Sequence, residues 1–180
     1  RASEGEGSGI DVAASWHGGV IATSQQPAPV RRMHASIAGL HLAALFTGEA
    51  SSTTAMIARC RAAKSWTTYT TLLSDLASSG IDAWERQDVA RFLAVVREHT
   101  ELLRTLGTDA EAPIVTQRID AIARLAEEAQ GAAKPSGAGG GDVVVMWSRD
   151  SELAHRIGEA TASIVLEVAI DPRGVVLEDE

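Results

Sequence analysis

Between Lys134 and Asp142 the chain reads Lys-Pro-Ser-Gly-Ala-Gly-Gly-Gly-Asp, and the apolar run Val143-Val144-Val145-Met146-Trp147 follows with no spacer. Glycine gives up more conformational freedom on folding than any other residue and buries no side chain in return. A run of glycines therefore has a use where the backbone turns sharply or where a ligand must come close to it. Successive backbone N–H groups in such a loop form a concavity for anions, and the missing side chains admit phosphate oxygens. The competing reading is a flexible linker. Against it stand the strand-like run that begins at once after the loop and the polar residues Lys134, Ser136 and Asp142. The pattern is neither a Walker loop, which places Lys and Ser or Thr directly after its glycine, nor the Gly-x-Gly-x-x-Gly turn of dinucleotide sites.

The segment Lys134–Asp142 resembles the C-terminal glycine motif of the GHMP small-molecule kinases. A second stretch, Ser8-Gly9-Ile10-Asp11-Val12-Ala13-Ala14-Ser15 with Gly18-Gly19 after it, is similar to that family's central motif, in which a serine-glycine turn presents an aspartate at the start of a helix. A third, Leu45-Phe46-Thr47-Gly48-Glu49-Ala50-Ser51-Ser52-Thr53, is similar to the Thr-Gly-x-x-x-Ser-Thr stretch of its phosphomevalonate kinase branch. The three occur in the family's order. The family's first motif, a Gly-Leu-x-Ser-Ser-Ala loop that wraps the nucleotide triphosphate, has no counterpart, and the sequence opens at Arg1 inside what the resemblance makes an interior loop.

The resemblance thus implies the C-terminal portion of a longer kinase. Residues 1–36 would be the end of an N-terminal, ribosomal S5-like domain, and residues 37–180 the C-terminal, substrate-side domain. The implied fold is α+β, a ferredoxin-like antiparallel sheet backed by helices. The implied cofactors are ATP and Mg2+, bound mainly by the N-terminal half. The implied reaction is phosphoryl transfer to a small phosphorylated metabolite, with phosphomevalonate to diphosphomevalonate, in isoprenoid precursor synthesis, favoured by the glycine motif and the Phe-Thr-Gly segment. A mevalonate or sugar kinase of the same family, and a binding module that keeps the scaffold without catalysis, stay open. The chain alone is expected to lack kinase turnover and to associate with the N-terminal half or with itself, because strands near 18–24 and 30–34 would have lost partners.

The formal net charge of −8, from 24 acidic and 16 basic residues, argues against a nucleic-acid binder, which needs a basic stripe. Arg31-Arg32 is the one adjacent basic pair and reads as a solvated strand end. A small anion is captured locally and is compatible with an acidic surface. The single cysteine, Cys60, cannot form an internal disulfide and sits in a helix-like segment as a packed thiol. No apolar run approaches the roughly 20 residues that span a bilayer, and no secretory signal opens the chain, so a cytoplasmic location without membrane contact is expected.

Local patterns predict a short helix over 8–16 capped by Ser8, paired strands over 18–24 and 30–34, and a buried strand over 37–47. Ser51-Ser52-Thr53-Thr54 is an N-cap cluster opening a helix over 55–64. Apolar spacing of three and four residues predicts helices over 66–78, 85–106 and 115–130. Residues 132–142 are read as a loop feeding a strand over 143–148. A helix over 150–159, a strand over 163–170 and a terminal strand over 175–177 complete the chain.

Phosphoryl transfer needs an oriented acceptor, a group that takes or offsets its proton, and stabilisation of spreading charge. By the resemblance, Asp11 is the catalytic carboxylate; the plain alternative for an aspartate in a first helical turn is macrodipole stabilisation. Where the acceptor phosphate is already ionised, Asp11 positions it or works with a cationic partner. Ser136, Gly137, Ala138, Gly139, Gly140 and Gly141 would hold a phosphate through backbone N–H groups, with the Ser136 hydroxyl as an added donor. Ser8 joins them from the central motif. Lys134 adds charge or is simply solvated, and Asp142 orients the loop or helps to hold magnesium through water. Ser51, Ser52 and Thr53 reach the acceptor side or cap the next helix. His17 reads as structural. His34, His41, His99 and His155 share no metal-ligand spacing, so no protein-held metal is expected.

Overall fold

The computed structural model describes residues 9–23, 30–49 and 52–176. Ser8 and Ser51 lie outside them. By its contacts the chain divides into two compact units, one from residues 1–37 together with 169–180, the other spanning Ala38–Val168.

In the first unit, helix α1 (Ile10–His17) starts from Gly9, which takes a left-handed conformation with no side-chain cap, so Gly9 holds the boundary expected of Ser8. The strands β1 (Ile21–Ala22) and β2 (Arg31–Arg32) pair antiparallel, shorter than predicted. Residues near the other end join this unit: the Gly19 N–H donates to Asp171 O at 2.7 Å, and Arg32 Nη2 donates to the carbonyls of His17 and Pro172. Val175 and Val176 form no strand; the Val175 N–H donates to Trp16 O at 3.3 Å.

The second unit is built on four strands, β3 (His41–Phe46), β4 (Ala132–Pro135), β5 (Val143–Ser148) and β6 (Ile164–Leu166), in the spatial order β4-β5-β3-β6 and antiparallel throughout. Five helices complete it: α2 (Thr53–Ala62), α3 (Trp66–Glu85), α4 (Val89–Asp109) and α5 (Gln117–Glu128) between β3 and β4, and α6 (Leu153–Thr161) between β5 and β6. This is the βαββαβ order of a ferredoxin-like sheet, with the first crossover enlarged to four helices. The expected fold class is observed.

Alternation on β5 turns Val144, Met146 and Ser148 to one face, where Leu45 and Ala43 of β3 lie opposite Val144 and Met146. Ile119, Ile122 and Ala126, at helical spacing on α5, and Leu153, Ala154 and Ile157 on α6 close over that face as the main core. Each such aliphatic side chain contributes about 1.5–3 kcal/mol on full burial. A second cluster joins Met56 and Cys60 of α2 to Leu106, Ala112 and Ile114, so Cys60 is the packed thiol expected. On the opposite face Phe92 stacks edge-on between Trp84 and Trp147, at centroid distances of 5.1 and 5.4 Å.

Strand β6 ends at Leu166, short of the predicted 170, and two further boundaries fail for tertiary reasons. Ala132–Pro135, read as loop, is an edge strand whose outward carbonyls are occupied: Arg97 donates twice to Gly131 O at 2.8 and 2.9 Å, and the Thr100 hydroxyl donates to Ala133 O at 2.8 Å. Helix α4 thus covers the edge that alanine's weak strand preference leaves unmarked. Helix α3 passes through Ser78-Ser79-Gly80, where the sequence signals a stop, because Gly80 admits Val95 of α4: a Cβ there would lie 3.3 Å from Val95 Cγ1. Among the described residues no helix is long and apolar enough to cross a membrane.

Candidate functional site

The glycine segment closes the β4–β5 hairpin. Four backbone hydrogen bonds hold it. The Ser136 N–H donates to Val143 O at 2.9 Å, and the Gly140 N–H donates to Ile114 O at 2.8 Å. The Asp142 N–H donates to Glu49 O at 2.6 Å, while Asp142 O accepts from the Thr47 N–H at 2.7 Å. Two distant segments, 47–49 after β3 and Ile114 before α5, therefore grip the loop from its own fold. A spacer would show no such anchoring.

Glycine is required at two positions by those same neighbours. A Cβ at Gly139 would stand 2.4 Å from Ile114 O, and one at Gly141 would stand 2.7 Å from Glu49 Cβ, both at positive φ. At the other end of the loop Ser136 and Gly137 are exposed and Ala138 is half-buried, whereas Gly139, Gly140 and Gly141 are buried. Asp142 is exposed and takes φ 64°, a left-handed conformation that aspartate tolerates better than most residues.

Lys134 lies at the base of the loop on β4. Its Nζ donates to Pro135 O at 2.7 Å, and burial lowers its ammonium pKa. On α4, His99 is pushed down to about 4, first by burial and then by the Lys134 charge, and its buried Nδ1 has no partner. Both groups are thus biased towards their neutral forms. Ser52 caps α2, its hydroxyl accepting from the Ala55 N–H at 3.4 Å, and Thr53 is the exposed first residue of that helix. Asp11 is exposed in the first turn of α1, in the other unit.

Sequence reading passed over three residues that meet beside the loop. The Thr116 hydroxyl donates to Glu49 Oε2 at 2.9 Å, and Arg118 Nε lies 3.6 Å from Glu49 Oε1. Arg118 Nη1 also donates to Thr47 O at 2.8 Å and to Ala162 O at 3.2 Å. Thr116 had a local signal as the N-cap of α5. Glu49 and Arg118 had none, since the side-chain partners described for them lie 44 to 71 residues away.

Phosphate suits the exposed tip of the loop. Ser136 and Gly140 spend their amides inside the protein, and no acceptor among the described residues takes those of Gly137 and Ala138. Among the described residues no three His, Cys, Asp or Glu side chains are grouped to hold a metal.

Residues 81–163 match the family described as GHMP kinases C terminal. The phosphomevalonate kinase of Streptomyces sp. (strain CL190) is 33% identical over 165 residues, covering 76% of this chain and 44% of that protein. Two solved structures share the fold. The Lin0012 protein of Listeria innocua has a TM-score of 0.71 at 24% identity, covering 78% of this chain and 41% of its own. Streptococcus pneumoniae phosphomevalonate kinase, in complex with phosphomevalonate and AMPPNP, has a TM-score of 0.66 at 20% identity, covering 77% and 41%. The chain spans less than half the length of each of these relatives.

Proposed function

We propose that this chain, which belongs to the GHMP kinase family through its C-terminal domain, is the acceptor-side portion of an ATP-dependent kinase that converts phosphomevalonate to diphosphomevalonate. The observation that carries this is the Lys134–Asp142 loop, held in one shape by four backbone bonds in a chain 33% identical to a phosphomevalonate kinase. Residues 1–36 would then close an N-terminal domain that supplies the nucleotide loop, and the enzyme would act in the cytoplasm.

When bound, ATP supplies the γ-phosphoryl group. This chain's residues hold and orient the acceptor. The Gly137 and Ala138 amides, with the Ser136 hydroxyl, donate to phosphate oxygens, and because these dipoles are already fixed they need little reorganisation as charge develops. Asp11 sets the acceptor oxygen in line with the phosphorus and takes its proton where it carries one. The Ser52 hydroxyl, which caps α2 by accepting from the Ala55 N–H, keeps its own O–H to donate on the acceptor side, with Thr53 beside it.

Two measurements test this. A coupled ADP-release assay of the intact kinase against mevalonate, phosphomevalonate, galactose and homoserine should show phosphomevalonate as the preferred acceptor; preference for another member of the panel overturns the substrate assignment. Gly140→Ala, at φ 84°, should raise KM for phosphomevalonate or lower kcat with the fold intact by circular dichroism, and Ser136→Ala should cost about 1 kcal/mol. Wild-type kinetics in both would reduce the loop to a connector.

A further inference from the structure

We propose that Glu49 and Arg118 are positioning residues for the glycine loop: a clasp that locks together the two segments gripping it and so keeps its exposed amides aimed at a phosphate group. This rests on the phosphate-holding reading of the loop.

Glu49 engages the loop with three different parts. Its carbonyl accepts from the Asp142 N–H, its Cβ fills the space that a side chain at 141 would need, and its carboxylate accepts from Thr116 and faces Arg118. Arg118 reaches back to Thr47 O, the residue whose own N–H holds Asp142 O, and onward to Ala162 O, where α6 ends in a left-handed cap. The Thr116 hydroxyl donates to Glu49 and accepts from the Ile119 N–H at 3.4 Å, which fixes the start of α5 and with it the stretch leading from Ile114. Glycine has no side chain with which to choose one conformation, so the loop's shape has to be imposed from outside. The two anchoring segments impose it, and the Glu49 carboxylate on Thr116 and Arg118, with Arg118 on Thr47 O, joins them.

The side chains of Arg118 and Glu49 are 35% and 38% exposed, and ion pairs of that exposure add little to global stability. The clasp should therefore show in the local motion of the loop and in substrate affinity, with the melting temperature nearly unchanged.

Hydrogen exchange of the intact kinase without ligand tests the clasp before any substrate is involved. In Glu49→Ala and Arg118→Ala, the Gly140 and Asp142 amides should exchange at least about 10-fold faster while the Met146 amide on β5 keeps its rate. KM for phosphomevalonate should rise about 5- to 10-fold with kcat little changed, as expected when binding is lost equally in ground and transition states. Glu49→Gln, which retains an oxygen for Thr116, should fall between. Unchanged loop exchange, acceleration spread equally over β5, or faster loop exchange with KM unmoved would each overturn the clasp. Gly140→Ala separates the two readings: if it raises KM and Glu49→Ala does not, the clasp alone fails; if neither does, the phosphate reading fails with it.

Discussion

The glycine loop and helix α1 carry the two motifs that look most alike as signatures, and they are built in opposite ways. The loop is tied by four backbone bonds, and glycine at 139 and 141 is dictated by Ile114 and Glu49. Helix α1 buries none of its residues, has no side-chain cap, and leaves Ile10, Val12 and Trp16 at 50%, 62% and 66% exposure. A motif can thus stand in either setting: the loop is bonded along its length to other segments of its unit, whereas α1 is bonded to its unit through the carbonyls of Trp16 and His17 at its C-terminal end. Substitutions at the loop should disturb structure and chemistry together, and substitutions on α1 should separate them.

The sharpest break of that contrast is Asp11→Asn in the intact kinase. It keeps the size of the side chain and removes its charge, so turnover should fall at least ~100-fold while thermal stability holds. Near-normal turnover would leave Asp11 only the macrodipole role. At the loop, Gly139→Ala drives a methyl group towards Ile114 O at 2.4 Å and forces alanine to φ 81°. Urea unfolding should show a loss of about 2 kcal/mol, with KM raised as well; a neutral variant would mean that Ile114 yields freely.

The third concerns the base of the loop. His99 ordinarily titrates near 6.5 and is pushed to about 4 by burial and by Lys134, so the folded state holds its neutral form. As pH falls from 6.5 towards 4 the unfolded chain takes up a proton that the folded chain refuses, and stability drops across that window. The shift corresponds to a ceiling of about 3 kcal/mol, reduced to about 1–2 for a side chain that keeps some solvent contact. His99→Gln should flatten that portion of the stability-pH curve, and an unaltered slope would remove His99 as its source. The smallest effect belongs to α1: Val12→Ala should change stability by less than about 0.5 kcal/mol, the range of ordinary surface substitutions. A larger loss would show that Val12 is covered, and that α1 is better supported than its own contacts indicate.

Much of the fold was readable before the structure. The three- and four-residue apolar spacing of the helix over 115–130, the apolar run opening the strand over 143–148, and the cap cluster that includes Ser52 all express burial or hydrogen bonding within a few residues, and each element landed close to where predicted. The failures share a cause. Ala132–Pro135 became a strand because α4 donates to its edge, and α3 ran past Gly80 because a second helix needed the space. Neither signal is local.

For the candidate site the division is the same. The residue pattern alone placed a loop of unusual backbone freedom within 132–142, leading into a buried strand, because glycine and β-branched residues announce themselves by their own conformational preferences; only its first four residues proved to be strand. What shape that loop takes was settled by Ile114, Glu49 and Thr47, and their arrangement by Thr116 and Arg118. Those contacts join residues as far apart as Thr47 and Asp142, and the choice among distant partners depends on how sheet and helices pack, which no short window of residues contains.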